Sequence, residues 1–71
     1  MRWTVARVDQ LERAIRQGRR IALYRRGTEY IVTPTRMTSI NRRDAVVGLL
    51  PMTGEELTFV LDELEQFQIV E

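Results

Sequence analysis

The chain has 71 residues and a mass of 8.4 kDa, room for one domain over residues 1–71 and none for a two-domain enzyme. Hydrophobic residues make up 44% and charged residues 30%, a composition that supports a packed core and excludes a disordered tract. The absence of Cys and His excludes disulfides, thiolate nucleophiles, imidazole bases and the usual zinc or haem ligands, and no cofactor is expected.

The net charge of +1 conceals a strong polarity. Residues 1–43 hold all 11 basic residues, every one Arg, against Asp9, Glu12 and Glu29, a balance of +8. Residues 44–71 hold Asp44, Glu55, Glu56, Asp62, Glu63, Glu65 and Glu71 and no base, a balance of −7. Arginine without lysine suits planar, forked contacts to phosphate or carboxylate. The competing reading is mutual neutralisation of the two halves across adjacent strands.

In chain order, the first element is a helix from near Asp9. Asp9 and Glu12 stand at capping-box spacing, Val8, Leu11, Ala14 and Ile15 recur on one face, and Gly18 supplies a left-handed stop. Residues 1–7, with Trp3, Val5 and Arg7 alternating, fit either a strand or an extension of the helix. From Arg19 the period becomes two. Arg20–Arg26 and Glu29–Thr35 form a hairpin, with Gly27-Thr28 as a type II′ turn that pairs Arg26 with Glu29 and Leu23 with Val32. One face then holds Ile21, Leu23, Tyr30 and Val32, and Pro34 ends the second strand or sits at an edge.

A polar loop follows around Met37 to Asp44. Ala45–Leu50 is a buried strand bent at Gly48, and Pro51-Met52-Thr53-Gly54 is the next turn. Glu56–Leu61 alternates, with Leu57, Phe59 and Leu61 inward. Asp62-Glu63-Leu64 is one tight helical turn before a last strand over Gln66–Val70. One helix with about five short antiparallel strands predicts a mainly β domain, a small SH3-like or Sm-like antiparallel barrel.

Ala14-Ile15, Arg19 to Arg26, Tyr30 to Pro34 and Leu57 to Leu64 together resemble the Sm-like core of the WYL domain, a bacterial regulatory module. The resemblance covers about residues 11–70. It rests on Tyr24 in the first strand, Pro34 closing the second, and the Phe59-Val60-Leu61-Asp62 run. It implies a role in transcription regulation. The family's Trp-Tyr-Leu signature falls on Ala45-Val46-Val47, and its basic ligand-binding positions fall on Leu57, Val60 and Glu63. The helix-then-barrel order is also similar to the Rho-binding antiterminator proteins, standalone domains that cover another protein's RNA site.

The candidate binding residues are Arg20, Tyr24, Arg25, Arg26, Arg42 and Arg43. Arginine forks hold phosphates while an aromatic face stacks an unpaired base, so the expected ligand is nucleic acid, single strands preferred, or a nucleotide. The plain alternative for Tyr24 is a cross-strand neighbour covering the sheet. Trp3 is either a second stacking platform or an anchor for the N-terminus. Paired carboxylates without a cleft do not make an acid–base site, and the four glycines match no phosphate-loop spacing, so no enzymatic activity is expected. A protein adaptor of the transcription machinery, using the acidic half or a strand edge, is the second reading. A structural subunit of a larger assembly is the third. No run is long enough to span a membrane, a cytoplasmic location is expected, and the apolar last strand invites homo-oligomer formation.

Overall fold

The computed structural model describes residues 1–70. Helix α1 (Val5–Gln17) is followed by strands β1 (Ile21–Arg25), β2 (Thr28–Ile40), β3 (Arg43–Leu49) and β4 (Glu56–Val60). A 3-10 turn, Leu61–Glu63, then leads to β5 (Gln66–Ile69).

The helix starts five residues earlier than the Asp9 spacing predicts. Thr4 is its cap: Oγ1 accepts from the Arg7 amide at 3.2 Å, and the Thr4 carbonyl accepts from Val8 at 3.0 Å. Asp9 then lies inside the helix, where the backbone amides are already spent in the ladder, so its carboxylate has no orphan donor to cap. At the far end Gly18 (φ 66°) closes the helix as expected, with the Arg19 amide donating back to Ala14 at 2.9 Å. Trp3 anchors the N-terminus. Its indole N–H donates to the Leu61 carbonyl at 2.8 Å, and its ring lies 5.4 Å from that of Phe67.

The first hairpin turns at Arg26-Gly27, one residue earlier than expected. Both residues have left-handed φ (53° and 75°), which makes a two-residue type I′ turn rather than a type II′ turn at Gly27-Thr28. The ladder accordingly pairs Leu23 with Tyr30, Tyr24 with Glu29 and Arg25 with Thr28. Every β1 residue faces a partner two positions earlier than expected. Because side chains alternate with period two, the face holding Ile21, Leu23, Tyr30 and Val32 survives the slip. The predicted Arg26–Glu29 pair does not form, because Arg26 occupies the turn. A left-handed arginine costs about 1 kcal/mol, so Arg26→Asn, giving Asn-Gly, is expected to stabilise the fold by up to about that amount. A raised denaturant midpoint at unchanged slope checks this.

Strand β2 does not stop at Pro34. It runs through, pairing with β1 over its first residues and with β3 from Thr33 onward, and absorbs the proline in a bulge between Pro34 and Arg36. A bulge is one of the few places in a sheet where a missing N–H is tolerated. Opposite Pro34 stands Gly48, where an added Cβ would lie 2.8 Å from Val32 Cγ2. The predicted bend at Gly48 is therefore a close approach of Val32 onto bare backbone. The predicted loop from Met37 to Asp44 is also a hairpin: Asn41 and Arg42, with φ of 50° and 66°, are its two-residue turn, and Ile40 pairs with Arg43.

The five antiparallel strands run in the order β4-β3-β2-β1-β5, so β4 and β5 are the two edges and the sheet is not closed by pairing between them. Leu11 and Ala14 of the helix pack onto one face of the sheet with Ile21, Leu23, Val32, Val46 and Phe59. Leu61 and Leu64 close the core beside the 3-10 turn. Among the described residues no helix is long and apolar enough to cross a membrane.

Candidate nucleic-acid interface

Alternation along β1 divides Arg20, Tyr24 and Arg25, three of the six candidate residues, between two faces. Ile21, Leu23 and Arg25 point to the core side, and Arg20, Ala22 and Tyr24 to the other. On that outer face Arg20 lines an open groove of about 540 Å³ together with Ile31, Leu50, Pro51, Met52 and Thr53. The wall is largely apolar, and Met52 on its rim is 95% exposed. The turn between β3 and β4 supplies four of these six residues, held by the Gly54 amide donating to Leu50 at 2.7 Å and the Leu50 amide to Glu55 at 2.9 Å. Sequence reading places those residues in a turn but not over the hairpin's outer face.

Tyr24 is half-exposed on the same outer face, and its hydroxyl donates to Glu29 Oε2 directly across the ladder. That hydrogen bond first, then lost hydration and the Glu29 charge, holds the phenol pKa above its usual value of 10.0, so Tyr24 is a neutral donor through the physiological range. Arg26 sits exposed at the turn. The Gly27 amide beside it donates to Glu65 Oε1 at 2.9 Å, and the Glu65 amide donates to the Tyr24 carbonyl at 2.7 Å, tying the hairpin tip to the chain entering β5.

Arg25 faces the other way. Its guanidinium carbon lies 4.9 Å from the Phe59 ring centroid and 5.2 Å from that of Tyr30, and the two rings meet edge to face at 5.2 Å. A cation–π contact of this kind contributes about 0.5–1 kcal/mol at partly exposed sites. Arg42 is at the tip of the second hairpin, exposed. Arg43 begins β3 and forms ion pairs with Asp62 (3.9 Å) and Glu63 (3.7 Å), while Arg36 reaches Glu56 at 3.6 Å. The structure thus joins Arg20 and Tyr24 on one face, sets Arg26 at its end, and places Arg25, Arg42 and Arg43 elsewhere.

No family model matches the chain, and no curated protein matches it. Among solved structures, proteasome accessory factor B/C (PafBC) of Arthrobacter aurescens superposes with a TM-score of 0.73 at 25% identity over 87% of this chain. The chain is similar to part of it: the match covers 11% of that protein's chain. PafBC is a WYL-domain-containing transcription regulator. The chain's resemblance to the WYL domain is thus accompanied by a likeness in fold to part of a protein that contains one. At the positions where that family carries basic residues, Leu57 and Val60 are half-buried and Glu63 is paired with Arg43.

Proposed function

We propose that the chain is a non-catalytic regulatory binding module, a small SH3-like or Sm-like barrel in architecture, that recognises nucleic acid, single strands in preference to duplex. The observation that carries this reading is the groove on the outer face of the first hairpin, where a cationic fork (Arg20), an apolar wall (Ile31, Leu50, Pro51, Met52) and an aromatic ring (Tyr24) share one side of the sheet. A base needs a flat apolar or aromatic surface and its phosphate needs a fork, and only unpaired bases can reach such a surface. Arg26 adds charge at the end of that face, and Arg25, Arg42 and Arg43, although placed elsewhere, contribute with the rest of the +8 balance of residues 1–43 to a long-range attraction for phosphate. Likeness to part of a transcription regulator supports the regulatory role.

Fluorescence anisotropy with short RNA and DNA oligomers at low and moderate salt tests the reading. Affinity is expected to fall steeply with salt through counterion release. Tyr24→Leu is expected to weaken binding by about 1–3 kcal/mol with the salt slope little changed, and Arg20→Ala with Arg26→Ala to lower the slope. Absence of a salt-sensitive signal at tens of micromolar protein ends the nucleic-acid reading.

A second reading, a protein adaptor, is favoured by one specific observation: Glu29, Glu56, Asp62 and Glu63 lie against Tyr24, Arg36 and Arg43, so part of the basic surface is neutralised internally. Such an adaptor presents the free edges of β4 and β5, and its partner is lost when Glu55, Glu56 and Glu63 become Gln.

A further inference from the structure

The first hairpin carries a second group of donors on its core-side face, at the opposite side of the sheet from the groove. Arg25 and Thr28 are direct partners in the ladder, so their side chains project to the same side with Cβ atoms about 5 Å apart. Tyr30 follows Thr28 by two residues and shares that side. The Arg25 guanidinium carbon lies over the Phe59 and Tyr30 rings, 4.9 and 5.2 Å from their centroids, which holds the fork on this face beside Thr28 and Tyr30. Among the described residues neither the Arg25 guanidinium nor the Tyr30 and Thr28 hydroxyls has a hydrogen-bond or ion-pair partner.

The acids of this end of the molecule are already engaged. Glu29 holds Tyr24 on the other face, Glu65 holds the Gly27 amide, and Asp62 and Glu63 hold Arg43. Arg25 therefore does not serve to neutralise one of them. We infer that Arg25, Thr28 and Tyr30 form a receptor for a phosphoryl oxyanion. A carboxylate has two oxygens in one plane and is satisfied by the fork alone. A phosphoryl group offers a third oxygen, for which the hydroxyls of Thr28 and Tyr30 on the same face are the further donors. The same chemistry is present in the terminal phosphate of a nucleotide and in the phosphodiester of a strand. The inference deepens the nucleic-acid reading by naming a phosphate subsite, and it rests on that reading only for the identity of the larger ligand.

The test is titration of the whole chain by NMR and calorimetry with inorganic phosphate, adenosine 5′-monophosphate, adenosine, and a short single strand with and without a 5′-phosphate. Phosphate and the monophosphate are expected to shift the Arg25 Nε–H and the Thr28 amide, and adenosine is not. Arg25→Lys keeps the charge and loses the fork, and is expected to weaken the monophosphate about tenfold. Thr28→Val, an exposed and strand-compatible change, is expected to weaken it severalfold with unaltered melting. Arg16→Lys, on the exposed side of α1, is expected to leave it unchanged. A preference for the 5′-phosphorylated strand assigns the site to a terminal phosphate, and equal binding of both strands with Arg25 dependence assigns it to the phosphodiester. Equal monophosphate affinity in the parent, Arg25→Lys and Thr28→Val chains overturns the inference, as does the absence of any shift at Arg25 at tens of millimolar phosphate. Strand binding that depends on Tyr24 but not on Arg25 or Thr28 overturns it while sparing the groove. Phosphate binding at Arg25 without strand binding sustains it while ending the nucleic-acid reading.

Discussion

Phe59→Ala is expected to remove a large share of the fold's stability. Phe59 is fully buried, sits opposite Val46 in the ladder, and meets Tyr30 edge to face while Arg25 covers its ring. Truncating such a ring costs about 3–5 kcal/mol in lost transfer energy and residual cavity. A chain of this length has a total stability of roughly 4–11 kcal/mol by the usual per-residue range. The loss thus approaches the lower end of the whole. Leu23→Ala, also fully buried, is expected to follow at about 2–5 kcal/mol. Circular dichroism in a denaturant series reads both. Midpoints within experimental error of the parent chain contradict the assignment of these residues to the core.

Gly48→Ala is expected to destabilise by about 1–3 kcal/mol although alanine is a better strand residue than glycine. The reason is steric and local. The new Cβ falls 2.8 Å from Val32 Cγ2 and 3.0 Å from Val32 Cβ, so Val32, a stiff β-branched side chain that is fully buried, must shift within the core. A paired change supplies the control: Val32→Ala in the Gly48→Ala background is expected to recover part of the loss, because it removes the atom that clashes. Denaturant midpoints of the two single variants and the double variant form the cycle. Strictly additive losses contradict the close approach.

Much of this fold is legible in the sequence because period and punctuation agree. Leu11 and Ala14 on one side of a helix closed by Gly18, and alternating residues from Ile21 to Val32, give the helix and the first hairpin with the correct inward faces. The errors fall where a chemical rule admits two solutions. Thr4 and Asp9 are both competent caps, and only Trp3, reaching the Leu61 carbonyl 58 residues away, settles that the earlier one is used. Gly27 fits the first position of one hairpin turn or the second of another. The second wins because Arg26 can adopt left-handed φ, and the slip of two leaves the faces intact. Pro34 normally stops a strand, but here the bulge carries β2 past it.

The candidate site was less legible for a related reason. Arg20, Tyr24, Arg25 and Arg26 are neighbours in sequence, but strand geometry sends Arg25 to the side opposite Tyr24, and the ion pairs of Arg43 depend on the long-range placement of the 3-10 turn. The groove wall from Leu50 to Thr53 is brought to Ile31 only by tertiary folding.

The most direct test of the proposed function is backbone amide chemical-shift mapping with a short single-stranded oligomer at low salt. The groove reading predicts that the perturbed amides cluster at Arg20, Ala22, Tyr24, Ile31, Leu50, Met52 and Thr53, and that the perturbations fade as salt is raised. Perturbations confined to the edges, β4 and β5, or no perturbation under those conditions, contradict it.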